Sequence, residues 1–147
     1  MAKNDQYVKA TVEDVFAVLT DPETYPQWLV GAKDIRAVDD GWPAVGSRFH
    51  HRVGLGPLHI DDTSTVLEID EPHLLVLGVR ATVLLKAVVR FTLTPSAGGT
   101  DVEMVEEPAY RLIGNLVRPL LDPATHGRNA VSLETLAELA ERRAAPR

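Results

Sequence analysis

The sequence predicts an α+β fold. It expects a curved antiparallel sheet of about seven strands, two short helices after the first strand, and one long C-terminal helix. Three observations predict it. Residues 34–107 alternate repeatedly between period-2 segments and turn punctuation, with connections short enough only for hairpins. Residues 11–31 carry two helix-start signals in succession. After Pro108 a 3.6-residue period returns and persists to about Arg143.

The elements follow in order. Gln6 to Ala10 reads as a short first strand. Thr11 is a good N-cap, with Glu13 and Asp14 in the first turn where the helix dipole favours them. Val12, Val15, Phe16 and Leu19 then recur at helical spacing. Asp21-Pro22 opens a second short helix, which carries Tyr25 and Trp28 and ends near Gly31. Ile35 to Val38 reads as a strand, and Ser47 to Val53 alternates with Phe49, His51 and Val53 on one face. Gly54 to Pro57 reads as a four-residue hairpin loop, so that Val53 pairs Leu58, His51 pairs Ile60 and Phe49 pairs Asp62. Leu58 to Ile69 is long enough for a strongly bent strand. Leu74 to Val79, Leu84 to Thr94 and Asp101 to Glu107 complete the meander, the last two joined through Gly98-Gly99.

In the C-terminal region Leu112, Ile113, Leu116, Val117 and Leu120 form one apolar stripe. Pro119 is expected to kink it, and Asp122-Pro123 to restart the helix. His126, Asn129, Ala130, Leu133, Leu136, Ala137 and Ala140 share a side at 100° per residue. The small alanines let this helix lie close to the sheet.

At 147 residues the chain fits a single domain, residues 1–147, large enough to bury a core without staples. With no Cys, disulfide frameworks and thiolate sites are excluded. A net charge of -6 without clustered Lys/Arg argues against nucleic acid and anionic membrane as partners. The longest apolar stretch, Leu74 to Val89, is broken by Arg80 and Lys86, so no membrane span is expected. The first residues carry no apolar signal region, and a cytoplasmic location is expected. Nothing in the sequence indicates a homodimer.

The segments "ATVEDVFAVLTDPETYPQWLVGAKDI", "GSRFHHRVGLGPL", "VLEIDEP", "GGTDVEMVEEP" and "RPLLDPATHGRNAVSLETLAEL" resemble the polyketide cyclase/dehydrase and lipid-transport superfamily. The resemblance spans about Gln6 to Arg143 and implies the START-like (SRPBCC) helix-grip fold, with an apolar cavity between sheet and C-terminal helix. Members either cyclise or aromatise polyketide chains or bind lipids, hormones or quinone-like molecules without catalysis. No fixed catalytic motif transfers, and the resemblance implies no cofactor.

Candidate site residues come from parity and phase. Phe49, Val53, Val89, Phe91 and Met104 face the inner side of the sheet, with Leu116, Leu120 and Leu133 opposite on the helix. All are candidates to touch a hydrophobic ligand. The polar residues on those faces are more specific. His51 and Asp62 would be diagonal neighbours, and a His–Asp pair in an apolar pocket is a candidate general base. Glu106 points inward near the end of the last strand, and His126 and Asn129 sit one turn apart on the helix, so each is a candidate to orient a ligand. Trp28 reads as an anchor for its short helix. Metal is not expected: His50 and His51 are adjacent on a strand and point to opposite faces. Phosphate loops, dinucleotide fingerprints and nucleophile elbows are absent from the sequence.

Three functions fit. The first is binding of a small aromatic, polyketide-like or lipid-like molecule. The second is a polyketide aromatase/cyclase with His51 and Asp62 as the acid–base pair. The third is an interaction protein whose cavity is collapsed. Whether a reaction is catalysed stays open at this level.

Overall fold

The computed structural model describes residues 2–28, 32–55, 58–80, 86–108 and 113–144. Side chains are described for all of these except 32–36, 51, 53–55, 58–61, 108 and 113–125. Strands β1 (Ala2–Val8), β2 (Ala32–Val38), β3 (Arg48–Leu55), β4 (Leu58–Asp70), β5 (Leu74–Arg80), β6 (Lys86–Ser96) and β7 (Gly99–Pro108) form one antiparallel sheet in the order β1-β7-β6-β5-β4-β3-β2. Helix α1 (Val12–Leu19) and α2 (Tyr25–Trp28) follow β1, with a 3-10 turn at Pro22–Thr24 between them. Helix α3 (Ile113–Ala144) closes the chain. Among the described residues, no helix is long and apolar enough to cross a membrane.

Local chemistry explains the element boundaries. The Thr11 hydroxyl accepts from the Asp14 amide at 3.1 Å, capping α1. Asp21 caps the 3-10 turn through the Glu23 amide at 3.1 Å, with Pro22 immediately inside it. The β6–β7 hairpin turns on Ala97 at φ 45° and Gly98 at φ 80°, the paired left-handed conformation that a right-twisted two-residue hairpin requires. The Tyr7 hydroxyl locks that turn by donating to the Ala97 carbonyl at 2.9 Å.

Three sequence expectations are corrected. The first strand starts at Ala2, not Gln6, because its inward positions include the polar Asn4, which hides the apolar alternation. The β3–β4 connection is two residues shorter than expected: Gly54 and Leu55 continue the strand, and Leu55 pairs Leu58. The helix expected to break at Pro119 and restart at Asp122 runs as one element from Ile113 to Ala144. The expected ends at Gly31, Leu84 and Leu112 lie outside the described residues.

Helix α3 lies mainly over β1, with α1 and α2 against its flank. An ion pair at 3.5 Å from Arg143 Nε to Asp14 Oδ1 ties its last turn to α1. The core gathers Val15, Phe16 and Leu19 of α1, Leu133, Leu136, Ala137 and Ala140 of α3, and the inward residues of the sheet. The buried arc of α3 runs through Asn129, Ser132, Leu133, Leu136, Ala137 and Ala140, whereas Ala130 and His126 are exposed. The buried Ser132, a polar residue left out of the apolar stripe, rotates the packed face away from Ala130.

Candidate functional site

The concave face is assembled by strand pairing. Phe49 of β3 lies opposite Ser64 of β4, Ser64 opposite Val79 of β5, and Val66 opposite Leu77. Leu77 meets Val89 of β6, Leu75 meets Phe91, and these meet Glu106 and Met104 of β7 respectively. Met104 finally faces Asn4 of β1. Phe49, Val66, Leu75, Leu77, Val89, Phe91 and Met104 are buried, as an inward apolar face requires.

One end of this face is aromatic. Tyr25 stacks on Phe49 with ring centroids 4.6 Å apart, and Trp42 meets the same ring edge-on at 4.8 Å. Trp28 lies edge-on to Phe91 at 6.1 Å. Each polar tip has a partner: Tyr25 Oη donates to the Leu19 carbonyl at 2.6 Å, Trp28 Nε1 to Thr24 Oγ1 at 3.1 Å, and Trp42 Nε1 to the Thr20 carbonyl at 2.7 Å. Burial, with Asp21 nearby, pushes the Tyr25 phenol well above its ordinary value. It stays neutral, and these rings anchor α2 over the sheet.

Beside that cluster lie two buried polar residues, Asp62 at 4 % exposure and Ser64 at 2 %. His51 is the direct cross-strand partner of Asp62, two residues closer in register than the sequence suggested. The side chain of His51 lies outside the described residues. Burial raises the Asp62 carboxyl to about 6, and backbone hydrogen bonds from Thr63 and Arg80 oppose the rise. A carboxyl in that range exchanges its proton near neutrality, the property a general acid or base needs.

A second polar group sits where α3 crosses β1 and β7. Glu106 and Arg128 form an ion pair at 2.5 Å between Oε2 and Nη2, with the carboxylate 16 % and the guanidinium 42 % exposed. The same guanidinium donates through Nε and Nη2 to Asn129 Oδ1, both at 3.3 Å. Asn4 Nδ2 donates to the His126 carbonyl at 3.0 Å. His126 is therefore fixed through its backbone, while the residue itself is exposed. Asn129 is fully buried and Leu133 is 1 % exposed.

Of the other residues that sequence reasoning singled out, Val53 pairs Ile60, and Leu116 and Leu120 lie within α3, with their side chains outside the described residues. Asn4, Ser64, Arg128 and Ser132 were not foreseen. Strand parity from Asp62 would have reached Ser64; the others lacked an apolar neighbour pattern to flag them. Among the described residues, no cluster of three or more His, Asp or Glu side chains could hold a metal ion.

A family model described as polyketide cyclase/dehydrase and lipid transport matches residues 2–141. No curated protein matches the chain. Among solved structures, protein NE0264 from Nitrosomonas europaea superposes with a TM-score of 0.73 at 20% identity, covering 96% of this chain and 94% of that one. Protein SA2116 from Staphylococcus aureus, of unknown function, gives a TM-score of 0.76 at 10% identity over 97% and 93% of the two chains. The di-domain aromatase/cyclase StfQ from the steffimycin biosynthetic pathway gives 0.71 at 14% identity, covering 97% of this chain and 50% of that one. At these identities the likeness is one of fold.

Proposed function

The chain belongs to the polyketide cyclase/dehydrase and lipid transport family, and from that premise we propose that it binds a small hydrophobic molecule between its concave sheet and α3. The observation that carries this reading is the pair Asp62 and Ser64, both buried on an apolar face. A carboxyl placed there weakens the fold at neutral pH, because burial disfavours its charged form. Such a placement is favoured where the group orients or reacts with a ligand. The aromatic rings around Phe49 and the aliphatic residues of β5 and β6 suit an aromatic, polyketide-like or lipid-like molecule with few polar atoms.

The test is mass spectrometry under native conditions on freshly purified protein, followed by thermal melts with a panel of aromatic and acyl compounds. A true ligand at a hundredfold excess over its Kd should raise Tm by about 5 °C or more. A protein that retains no molecule and shifts with none of the panel would end this reading.

A second reading, a polyketide aromatase/cyclase, is favoured by the register that sets His51 opposite Asp62. In it Asp62 and His51 share the proton transfers that enolise and dehydrate a poly-β-ketone chain held bent in the hollow. Asp62→Asn should then abolish turnover of such a chain while leaving its affinity within a few-fold. Unchanged turnover would leave binding alone.

A further inference from the structure

The sheet has a second face, turned away from its buried side, and it carries the residues that alternate with the inward ones. Cross-strand pairing arranges them in rows. His50, Thr63, Arg80 and Lys86 make one row, Arg48, Thr65, Gly78 and Val88 the next, and Glu68, Val76 and Arg90 a third. The bulge between Val66 and Glu68 adds Leu67 to this face. Leu67 is 49 % exposed and rests over Gly78, where a Cβ would lie 3.3 Å from its Cδ1. The middle of the face is therefore apolar, with Leu67 over Gly78 and Val88 beside it. Its rim is cationic, because Arg48, Arg80, Lys86 and Arg90 are all exposed.

Two of these cations are placed at a cost. Arg80 and Lys86 are direct cross-strand partners, and like charges so placed repel. Among the described residues neither has a carboxylate partner, and the connection between them, Ala81 to Leu85, contains no acid. In a chain of net charge -6, cations that are scattered in sequence are thus gathered by the sheet onto one surface. We propose that this face docks a protein partner through an acidic amphipathic helix. The apolar side of that helix lies on Leu67 and Val88, and its flanking carboxylates meet Arg80 and Lys86. An apolar centre with an arginine-rich surround is the composition of a protein interface. A uniformly anionic surface, whether lipid or nucleic acid, fits less well. Asp39 and Glu68 stand among the arginines, pairing Arg48 at 3.6 Å and Arg90 at 3.8 Å, and such a surface would press its charge against them. A helix with discrete carboxylates leaves those pairs in place and answers the two cations that lack one.

The probe is a fluorescein-labelled amphipathic peptide helix with leucines on one side and glutamates flanking them, followed by fluorescence anisotropy at low salt. The protein should bind it about tenfold more tightly than the same peptide with lysines for glutamates, and the affinity should fall as salt rises. Arg80→Gln combined with Lys86→Gln should weaken binding about tenfold, and Leu67→Ser about fivefold. Arg142→Gln, which removes a cation from the last turn of α3, should leave it unchanged. The double variant should melt no lower than wild type, because it removes a like-charge contact, so its loss of affinity reads docking rather than folding. Equal affinity for the two peptides, binding to neither, or binding that the double variant leaves intact would overturn the proposal. So would tighter binding to vesicles of equal parts phosphatidylglycerol and phosphatidylcholine that the double variant abolishes, which would assign the face to a membrane.

Discussion

The two sides of the concave face treat their polar groups in opposite ways. Under α3, Arg128 reaches Glu106 of β7 and Asn4 of β1 reaches the His126 carbonyl, and these two links fasten helix to sheet. On the β3–β4 side, Asp62 and Ser64 are buried within the sheet beside the Tyr25–Phe49–Trp42 rings, away from the strand that α3 covers. On the first side polar residues do the assembly, and partial exposure of Arg128 keeps their charge inexpensive. On the second, aromatic packing does the assembly, and a carboxyl is held where charge is disfavoured. A fold stabilised by rings can tolerate a strained carboxyl, and that contrast is open to test side by side.

The largest expected effect breaks the aromatic side. Phe49 is fully buried and in contact with Tyr25 and Trp42. Phe49→Ala should cost about 3–5 kcal/mol in urea unfolding, the range for deleting a close-packed ring. A loss below about 1 kcal/mol would mean that the ring already borders open space, and would move the hollow to that end of the sheet.

Asp62 comes next, with the opposite sign. Its carboxyl is raised from 3.8 to about 6. The folded protein therefore holds a proton that the unfolded chain releases as pH passes upward through that window. Stability is highest below the unfolded value and is lost as pH rises through the folded one. Asp62→Asn stays neutral throughout. It should match wild type near pH 4 and exceed it by about 2–3 kcal/mol at pH 7.5. Urea melts at the two values check this. A variant that is less stable at pH 7.5 would show that the charged carboxylate is welcome there, and the contrast between the two sides would disappear.

Much of the architecture was legible because its signals are local. Alternation, turn glycines and caps each report on a few neighbouring residues, so the strand sequence, the two short helices and the inward set Phe49, Val89, Phe91 and Met104 could be read directly. Register depends on a distant strand. Gly54 looks like punctuation in sequence, yet it lies inside β3 because the ladder continues past it to Leu55–Leu58. Polar residues turned inward were the other blind spot. Asn4 shortened the expected first strand, and Ser132 displaced the expected face of α3, because an apolar pattern carries no mark for a polar residue buried by its partners. The candidate site is concentrated in such residues, so it was less legible than the fold around it.

The smallest expected effect concerns the fastening under α3. The Glu106–Arg128 pair joins a carboxylate that is 16 % exposed to a guanidinium that is 42 % exposed. Solvent screens a pair of that kind, so the coupling from a double-mutant cycle with Glu106→Gln and Arg128→Met should be no more than about 1 kcal/mol, and it should shrink in 1 M salt. Arg128→Met also frees Asn129 Oδ1, which makes that single variant the costlier of the two. A coupling above about 2 kcal/mol that persists in salt would mean that the pair is drier than its exposure indicates. The α3 side would then resemble the Asp62 side, with a strained charge of its own.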